Sequence, residues 1–190
     1  PRTNGIIAVE LKENDRLIGT GLTDGEQDLM LFSSSGKVIR FSEKNVRSMG
    51  RTAAGVRGLR LTGSHDEVIS LCIPESEVVL IATERGYGKR TSLSEFRSQG
   101  RGGKGVIAIQ TSERNGSVIG AVQVNDENEV MLISSNGTLV RTPSSEISIM
   151  GRNTQGVRLI KLDNGDRLVG LERIEMLGEQ SPDDEAKTTD

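Results

Sequence analysis

The amino-acid sequence predicts an all-β fold, a propeller-like array of four-stranded blades. Two observations predict it: a sequence unit recurs every 50 or 51 residues, and each unit holds short apolar runs separated by turn residues. No segment shows the period of a long amphipathic helix. About three and a half units of ~50 residues are present, and roughly four short strands per unit is typical of blades that pack against their neighbours.

The recurring unit is visible when residues 30–61, 79–110 and 131–162 are aligned. Each begins with a similar run: "MLFSSSGKVIRF", "VLIATERGYGKR" or "MLISSNGTLVRT". The positions shared by all three units are Arg40, Arg90 and Arg141; Gly50, Gly100 and Gly151; Arg51, Arg101 and Arg152; and Gly55, Gly105 and Gly156. A truncated copy, "NGIIAVEL", opens the chain with Gly5 at the position of the last glycine.

Each unit divides into four strands in chain order. The run "DLMLFSSSGKVIRFS" alternates, turns at Ser and Gly, and alternates again, which predicts a hairpin. A connecting segment containing "VRSMGR", "FRSQGR" or "ISIMGR" follows, with at most one short helical turn, in "SEKNV" or "SLSEF". A third strand is predicted to begin at the shared glycine, and a fourth in "DRLIGTGL", "DEVISLCI", "GSVIGAVQV" and "DRLVGLERI".

The domain boundaries follow from the repeats and from charge. We expect one repeat domain over residues 1–177, with repeats at about 5–54, 55–104, 105–155 and 156–177, and a disordered acidic tail over 178–190. The net charge of −3 conceals this asymmetry: residues 172–190 hold seven acids and two bases, which leaves +2 on residues 1–171.

The bulk composition places the chain among soluble, intracellular proteins. No apolar run is long enough to cross a bilayer, and no charged-then-apolar leader opens the sequence. The single cysteine, Cys72, lies in the apolar run "VISLCI" and is expected to be a core thiol. No tryptophan, one tyrosine and three phenylalanines disfavour single-strand binding by base stacking.

The sequence offers no catalytic or metal-binding constellation. The sole histidine, His65, lies in the turn "TGSHDE" with no Cys or His partner for a metal. Neither GxSxG nor GxxxxGK[ST] occurs, and "GRGGKG" is followed by a strand instead of the helix that a phosphate-binding loop requires. Tyr87 sits in a "GYG" turn without an acidic metal cluster. We therefore expect no enzyme activity and no cofactor for this chain.

The cations recur in register, which favours a binding function. Equivalent positions of a propeller lie around one rim, so the repeated arginines form an arc. An arc of cations without aromatic readers suits the phosphates of a bent duplex. The alternative is a scaffold for protein partners on which these are ordinary solvated charges. The arc comprises Arg40, Arg90, Arg141, Arg51, Arg101 and Arg152, with Lys37, Arg47, Arg57, Lys89, Arg97, Lys104 and Arg158 around them.

Four stretches, "DLMLFSSSGKVIRF", "VRSMGRTAAGVRG", "GYGKRT" and "SEISIMGRNTQGV", closely resemble the C-terminal domain family of bacterial DNA gyrase A, a type IIA DNA topoisomerase component. The resemblance extends to about residue 175, and the acidic tail also resembles the end of gyrase A. It implies a β-pinwheel, a propeller-like ring whose blades exchange strands and whose basic edge wraps DNA. It further implies that the catalytic tyrosine lies elsewhere in gyrase A, that gyrase B binds ATP, and that ATP and magnesium serve the holoenzyme.

The resemblance also implies a function for "QGRGGKG" at 99–105, here named the box-like loop. It matches the family's wrapping box Q-[RK]-R-G-G-[RK]-G except at Gly100. This copy is either a repeat-derived version or the main wrapping determinant. The predicted DNA contacts of the loop are Gln99, Arg101, Gly102, Gly103 and Lys104. The expected partners are double-stranded DNA and the gyrase A and gyrase B proteins, in a cytoplasmic, nucleoid-associated enzyme, with the related topoisomerase IV protein as a close variant.

Overall fold

A computed structural model describes residues 5–174 of the 190-residue chain. The predicted acidic tail, residues 178–190, lies outside the described residues. Within residues 5–174 the chain forms eleven strands and three 3₁₀ helices, and no helix there is long and apolar enough to cross a membrane. The 3₁₀ helices are Glu43–Asn45, Leu93–Glu95 and Ser144–Glu146. The strands are β1 (Asp28–Ser33), β2 (Lys37–Ser42), β3 (Val68–Cys72), β4 (Val78–Thr83), β5 (Tyr87–Ser92), β6 (Val106–Ile107), β7 (Val118–Val124), β8 (Glu129–Ser134), β9 (Leu139–Pro143), β10 (Val157–Arg158) and β11 (Leu168–Ile174).

The strands form three antiparallel sheets, which are the first, second and third blades. Their strand orders are β3-β1-β2-β6, β10-β5-β4-β7 and β11-β8-β9. Each blade is built on one predicted hairpin: β1–β2, β4–β5 or β8–β9. The predicted fourth strand of the same repeat pairs with the first strand of that hairpin. The prediction of an all-β array of four-stranded blades is confirmed, although the third blade has three strands within the described residues.

The outer strands show that the blades exchange strands. β6 follows the second hairpin along the chain but pairs with β2 of the first, in the register Lys37↔Ile107 and Val38↔Val106. β10 follows the third hairpin and pairs in the same way with β5 of the second. The third strand of each repeat therefore closes the preceding blade, as the family resemblance implied.

Two copies of the repeat do not form the strands that their sequences predict. No strand occurs within residues 5–27 or 46–67, and Ile6 and Ile7 of "NGIIAVEL" are 65% and 68% exposed. The reason is the strand exchange. The third strand of a repeat pairs with the hairpin of the preceding blade, and the fourth strand pairs with the hairpin of its own blade. No hairpin precedes Asp28 in the described residues, so these segments have no strand to pair with. Alternation alone cannot hold a strand without a partner.

The core lies between the blades. Along β4, Val79 and Ile81 face the first blade, where they pack with Met30 and Phe32. Leu80 and Ala82 alternate with them and join a separate cluster that includes residues of the third blade. Cys72 is buried in the first cluster, and burial raises the pKa of its thiol to about 12. The prediction of a core thiol is confirmed.

The shared glycine that precedes each outer strand has a conformation that other residues avoid. Gly105 has φ +67°, and a Cβ there would lie 2.2 Å from the carbonyl oxygen of Val38. Gly156 is equivalent, with φ +80° and a Cβ position 2.5 Å from the oxygen of Gly88. Gly55 has φ +79° but open space around it. The glycine thus permits both the turn and the close approach of the outer strand to the preceding hairpin.

Three alanine variants separate these two requirements. Gly105→Ala should lower the free energy of unfolding by about 2 kcal/mol or more, because it adds a backbone clash to the strain of positive φ. Gly55→Ala should cost about 1 kcal/mol, because it carries the strain alone. Gly100→Ala, whose φ lies outside the left-handed region and whose surroundings are open, should stay within about 0.5 kcal/mol of the parent. Urea unfolding measures all three, and equal losses at positions 105 and 100 would contradict the assignment.

Candidate nucleic-acid interface

The box-like loop is anchored to the repeat before it. The amide of Gln99 donates to the carbonyl of Arg40 at 2.9 Å, where the chain runs beside β2. Farther along, the amide of Gly102 donates to the carbonyl of Gly58 at 2.6 Å, and the amide of Arg60 donates to the carbonyl of Gly103 at 2.8 Å. We call this loop, its equivalents at 49–55 and 150–156, residues 56–60 and the two outer strands the rim. The backbone of the box-like loop is therefore held by hydrogen bonds at Gln99, Gly102 and Gly103.

The arginine after Gly50, Gly100 and Gly151 makes the same contact in every repeat. Arg51 donates from Nη1 to the carbonyl of Ile7 at 3.4 Å, Arg101 to that of Arg57, and Arg152 to that of Ile107 at 3.4 Å. Each acceptor lies two residues after the shared glycine of the preceding repeat. The structure thus brings these three predicted residues to equivalent places, each against the segment that follows the shared glycine of the preceding repeat.

The exposed cations around the box-like loop have no acidic partners among the described residues. Arg101 is half-buried and also donates to the carbonyl of Asn45 at 3.1 Å, whereas Lys104 is exposed and makes no hydrogen bond within the described part of the chain. None of the ion pairs within residues 5–174 involves a cation of this group. The exposed members are Arg47, Arg57, Arg60, Arg97 and Lys104. An arrangement of exposed cations without carboxylate partners produces a positive local field.

Arg60 is a member of this group that sequence reasoning missed. It lies in "RGLRL", which reads as a strand, and its amide bonds to Gly103. The sequence could have indicated Arg60. If the blades exchange strands, the segment after the shared glycine of one repeat lies beside the loop of the next repeat, and a cation in that segment lies near the loop.

The arginines at the ends of the hairpins make structural contacts. Arg40 donates to Asp28 Oδ2 at 2.7 Å and to the carbonyls of Leu93 and Phe96 at 3.3 and 3.2 Å. Its guanidinium therefore joins the first hairpin to the 3₁₀ helix of the second blade. Arg141 pairs with Glu129 and remains exposed. In both cases the acid stands twelve residues before the arginine, a signal that the sequence carried.

Arg90 and Lys89 are buried, which corrects their placement among the DNA-contacting cations. Arg90 is 5% exposed, pairs with Asp126 and donates from Nε to the carbonyl of Ile147 at 2.7 Å. Lys89 is 0% exposed, and its Nζ donates to the carbonyl of Gly151 at 2.6 Å. Both side chains hold the segment that leads into Arg152, so neither reaches the surface where a phosphate would lie.

The other predicted DNA contacts, Lys37, Gln99, Gly102 and Gly103, are half-buried. Lys37 is half-buried at the start of β2 and makes no ion pair within residues 5–174. Gln99 is half-buried, and its Nε2 is enclosed without an acceptor in the described part of the chain. Gly102 has φ +82° and lies against the carbonyl of Arg57, while Gly103 faces Ile39. Among the described residues, no group of His, Cys, Asp or Glu is arranged to hold a metal ion.

The chain matches the protein family described as "DNA gyrase C-terminal domain, beta-propeller" over residues 1–24, 27–71, 77–125 and 128–175. It is 59% identical over 176 residues to DNA gyrase A of Pseudomonas aeruginosa, covering 92% of this chain and 19% of that protein. It is 53% identical to DNA gyrase A of Escherichia coli (strain K12) over 174 residues, covering 91% of the chain and 20% of that protein. The chain thus spans about one fifth of the length of these curated relatives.

Two solved structures share the fold. The structure of a DNA gyrase A C-terminal domain aligns with a TM-score of 0.81 at 27% identity, covering 90% of this chain and 58% of that one. The C-terminal domain of DNA topoisomerase IV aligns with a TM-score of 0.82 at 27% identity, covering 88% of this chain and 53% of that one.

The burial of Lys89 predicts a pH dependence of stability. Burial is the main cause that lowers the pKa of its amine from 10.5 to about 8; nearby Arg152 adds to this effect and Glu95 opposes it. Between about pH 8 and 10.5 the unfolded chain therefore binds more protons than the folded chain, and stability rises with pH in that window.

The test compares the parent with Lys89→Met by urea unfolding from about pH 7 to about pH 10. The unfolding free energy of the parent should gain about 2 kcal/mol relative to Lys89→Met over this range, because only the parent loses the buried charge. Lys12→Met, which removes the charge of an exposed lysine, is the control. Parallel curves for the parent and Lys89→Met would show that the buried amine does not titrate there.

Proposed function

The chain belongs to the DNA gyrase C-terminal domain family, and from this membership we propose that it binds duplex DNA and bends it around its rim. The proposed contacts are with the phosphate backbone and carry little sequence preference. The chain contributes binding and no bond-making or bond-breaking step. In the whole enzyme this wrapping would present a DNA segment so that negative supercoils can be introduced.

The observation that carries the proposal is the placement of Arg51, Arg101 and Arg152. Each donates to the carbonyl two residues after the shared glycine of the preceding repeat, so the repeat sets the position of each guanidinium. Cations held at fixed positions lose less conformational freedom when they bind a polyanion. A curved rigid arc of this kind suits a bent duplex, in which deformation and phosphate charge determine affinity.

The proposed contact set is narrower than the sequence suggested. It keeps cations of the rim and adds Arg60. It omits Lys89 and Arg90, which are buried and hold the loop that presents Arg152. It also omits Arg40 and Arg141, which pair with acids at their hairpins. The members of the set that we expect to contact phosphates are Arg51, Arg57, Arg60, Arg101, Lys104 and Arg152.

The wider biochemical setting is proposed on the same basis. The partners would be the remainder of gyrase A together with gyrase B, in the cytoplasm and at the nucleoid, with ATP and magnesium used by the holoenzyme alone. Topoisomerase IV is the nearest alternative, since its C-terminal domain aligns equally well. The curated relatives named above favour gyrase. A protein-binding scaffold is a weaker alternative, because the described part of the rim carries cations without carboxylate partners.

DNA affinity should depend steeply on salt and little on sequence. If about five phosphates are neutralised, the logarithm of the association constant should fall with the logarithm of salt concentration at a slope near −4 to −5. Fluorescence anisotropy with several unrelated duplexes of equal length, between about 50 and 200 mM salt, measures both quantities. A flat salt response, or sharp preference for one sequence, would contradict the proposal.

The two cations of the box-like loop should behave differently. Lys104→Ala should weaken binding and reduce the salt slope by about one, without a change in melting temperature, because Lys104 is exposed and makes no hydrogen bond to the described residues. Arg101→Ala should reduce the slope similarly but also cost about 1 kcal/mol of stability, because it removes two hydrogen bonds to carbonyls.

Lys12→Ala is the control for Lys104→Ala, since both remove an exposed lysine. The assignment of the loop is wrong if Lys104→Ala and Lys12→Ala give the same affinity and the same salt slope. In that case the loop would be only a turn before the outer strand of the first blade.

A further inference from the structure

Tyr87, the only tyrosine of the chain, is flanked by two guanidinium groups. Arg158 lies opposite it in β10, with its guanidinium carbon 5.6 Å from the ring centroid, and donates from Nη2 to the phenol oxygen at 3.2 Å. Arg114 approaches from the turn before β7, with its guanidinium carbon 4.7 Å from the centroid. Three separate segments of the chain therefore converge on one ring, and we call these three residues the tyrosine cage.

The tyrosine cage has more positive charge than its surroundings neutralise. Neither Arg114 nor Arg158 takes part in an ion pair with a described residue. The guanidinium of Arg114 donates to the neutral side chain of Gln155 at 3.4 Å. The hydrogen bond from Arg158 is the main cause that lowers the pKa of the Tyr87 phenol, and the guanidinium of Arg114 beside the ring adds to this effect. The cage therefore stabilises negative charge at the phenol oxygen, as an anion-binding site does.

The cage opens into a groove of about 740 Å³ between the turns of the second and third blades. Arg85, Lys161 and Arg167 also line this groove. The five cations of the groove outnumber its three acids, Glu84, Asp163 and Asp166. The carboxylate of Asp166 accepts hydrogen bonds from Ser135 and from the backbone amides of Asn136 and Arg167. The excess of cations over acids along the groove favours an anionic ligand.

The first blade has no equivalent of the cage, and the cage lies beside the loop at 150–156. In the first blade the equivalent positions are Lys37 and Ile107, which pair with each other. That pair supplies neither an aromatic ring nor a guanidinium. Arg158 lies in the edge strand β10, and Tyr87 lies in β5, the strand next to it. Gln155, which Arg114 contacts, lies in the loop that carries Arg152. The cage is thus a continuation of the arc, with a different chemistry.

We propose that Tyr87, Arg114 and Arg158 form a discrete phosphate-binding site, which takes a backbone phosphate of duplex DNA where the duplex passes from the second blade to the third. This proposal rests on the proposed function of the chain. The two guanidinium groups supply N–H donors and charge, and the phenol supplies an O–H donor to the same phosphate. Base stacking on Tyr87 is not part of the site, because both arginines already lie against the ring.

Because Tyr87 is the only tyrosine, its ionisation can be followed directly by NMR. The 190-residue chain is prepared with ¹³C at the Cζ of tyrosine, which yields one NMR resonance. This resonance is titrated with pH in the free chain, with a duplex long enough to span the rim, and with inorganic phosphate. We expect the phenol pKa to lie below its usual value in the free chain and to rise when duplex binds, because a phosphate draws the arginine donors away and adds negative charge.

The outcomes separate the cage from the wider function. If the duplex binds by anisotropy but the resonance and its titration stay unchanged, the cage is wrong and the rim proposal stands. If no duplex binds at all, both proposals fail. A full shift with inorganic phosphate and none with duplex shows a small-anion site and overturns the assignment to the DNA backbone.

Affinity provides the second measurement. Arg114→Gln with Arg158→Gln should weaken duplex binding about tenfold and reduce the salt slope by about one. The charge-matched control is Lys12→Gln with Arg16→Gln, which removes two exposed cations outside the groove. Tyr87→Phe keeps the ring and should give a smaller loss of affinity without a change in slope. Equal effects of the two double variants would overturn the site.

Discussion

The outer edge of each hairpin is paired by a strand from the following repeat, and this exchange determines the rest of the structure. β6 covers β2 and β10 covers β5, so no blade with an outer strand is complete within its own repeat. An uncovered edge would leave a row of backbone donors and acceptors without partners. The exchange satisfies them and ties each blade to the next. It also explains why residues 5–27 and 46–67, which have no earlier hairpin in the described chain, form no strand.

Strand exchange also fixes the surface on which the proposed function depends. The chain must cross from one blade to the outer edge of the previous one, and it does so through the loops of the rim. Because the loops at 49–55, 99–105 and 150–156 each end at a glycine with positive φ, Arg51, Arg101 and Arg152 reach equivalent carbonyls. In the described residues the second and third of these loops lead to an outer strand. The regularity of the positive arc is therefore a consequence of how the sheets are closed.

Chemically similar cations have separate tasks in this arrangement. Arg40 and Arg90 donate to carbonyls of the next blade and pair with acids, so they contribute to the joint between blades. Lys104 and the exposed arginines around it make no such ion pairs within residues 5–174 and are available to a ligand. The tyrosine cage is intermediate, because Arg158 bonds to Tyr87 through only one of its nitrogens. The difference between these groups is burial and partnership, which set the cost of moving a charge from its protein contacts to a phosphate.

The sequence by itself determined the repeat, the hairpins, the position of the outer strands after the shared glycine, and the burial of Cys72. These depend on local alternation, turn chemistry and spacing, which are written along the chain. Strand exchange followed only from the family resemblance, since spacing does not tell which hairpin a strand of two residues joins. Only the tertiary structure decided that Arg90 and Lys89 are buried, that Arg101 is pinned while Lys104 is exposed, and that Arg114 and Arg158 meet at Tyr87. Those outcomes depend on contacts between residues 27 to 71 positions apart, and whether a cation faces a carbonyl or solvent is set by packing between blades.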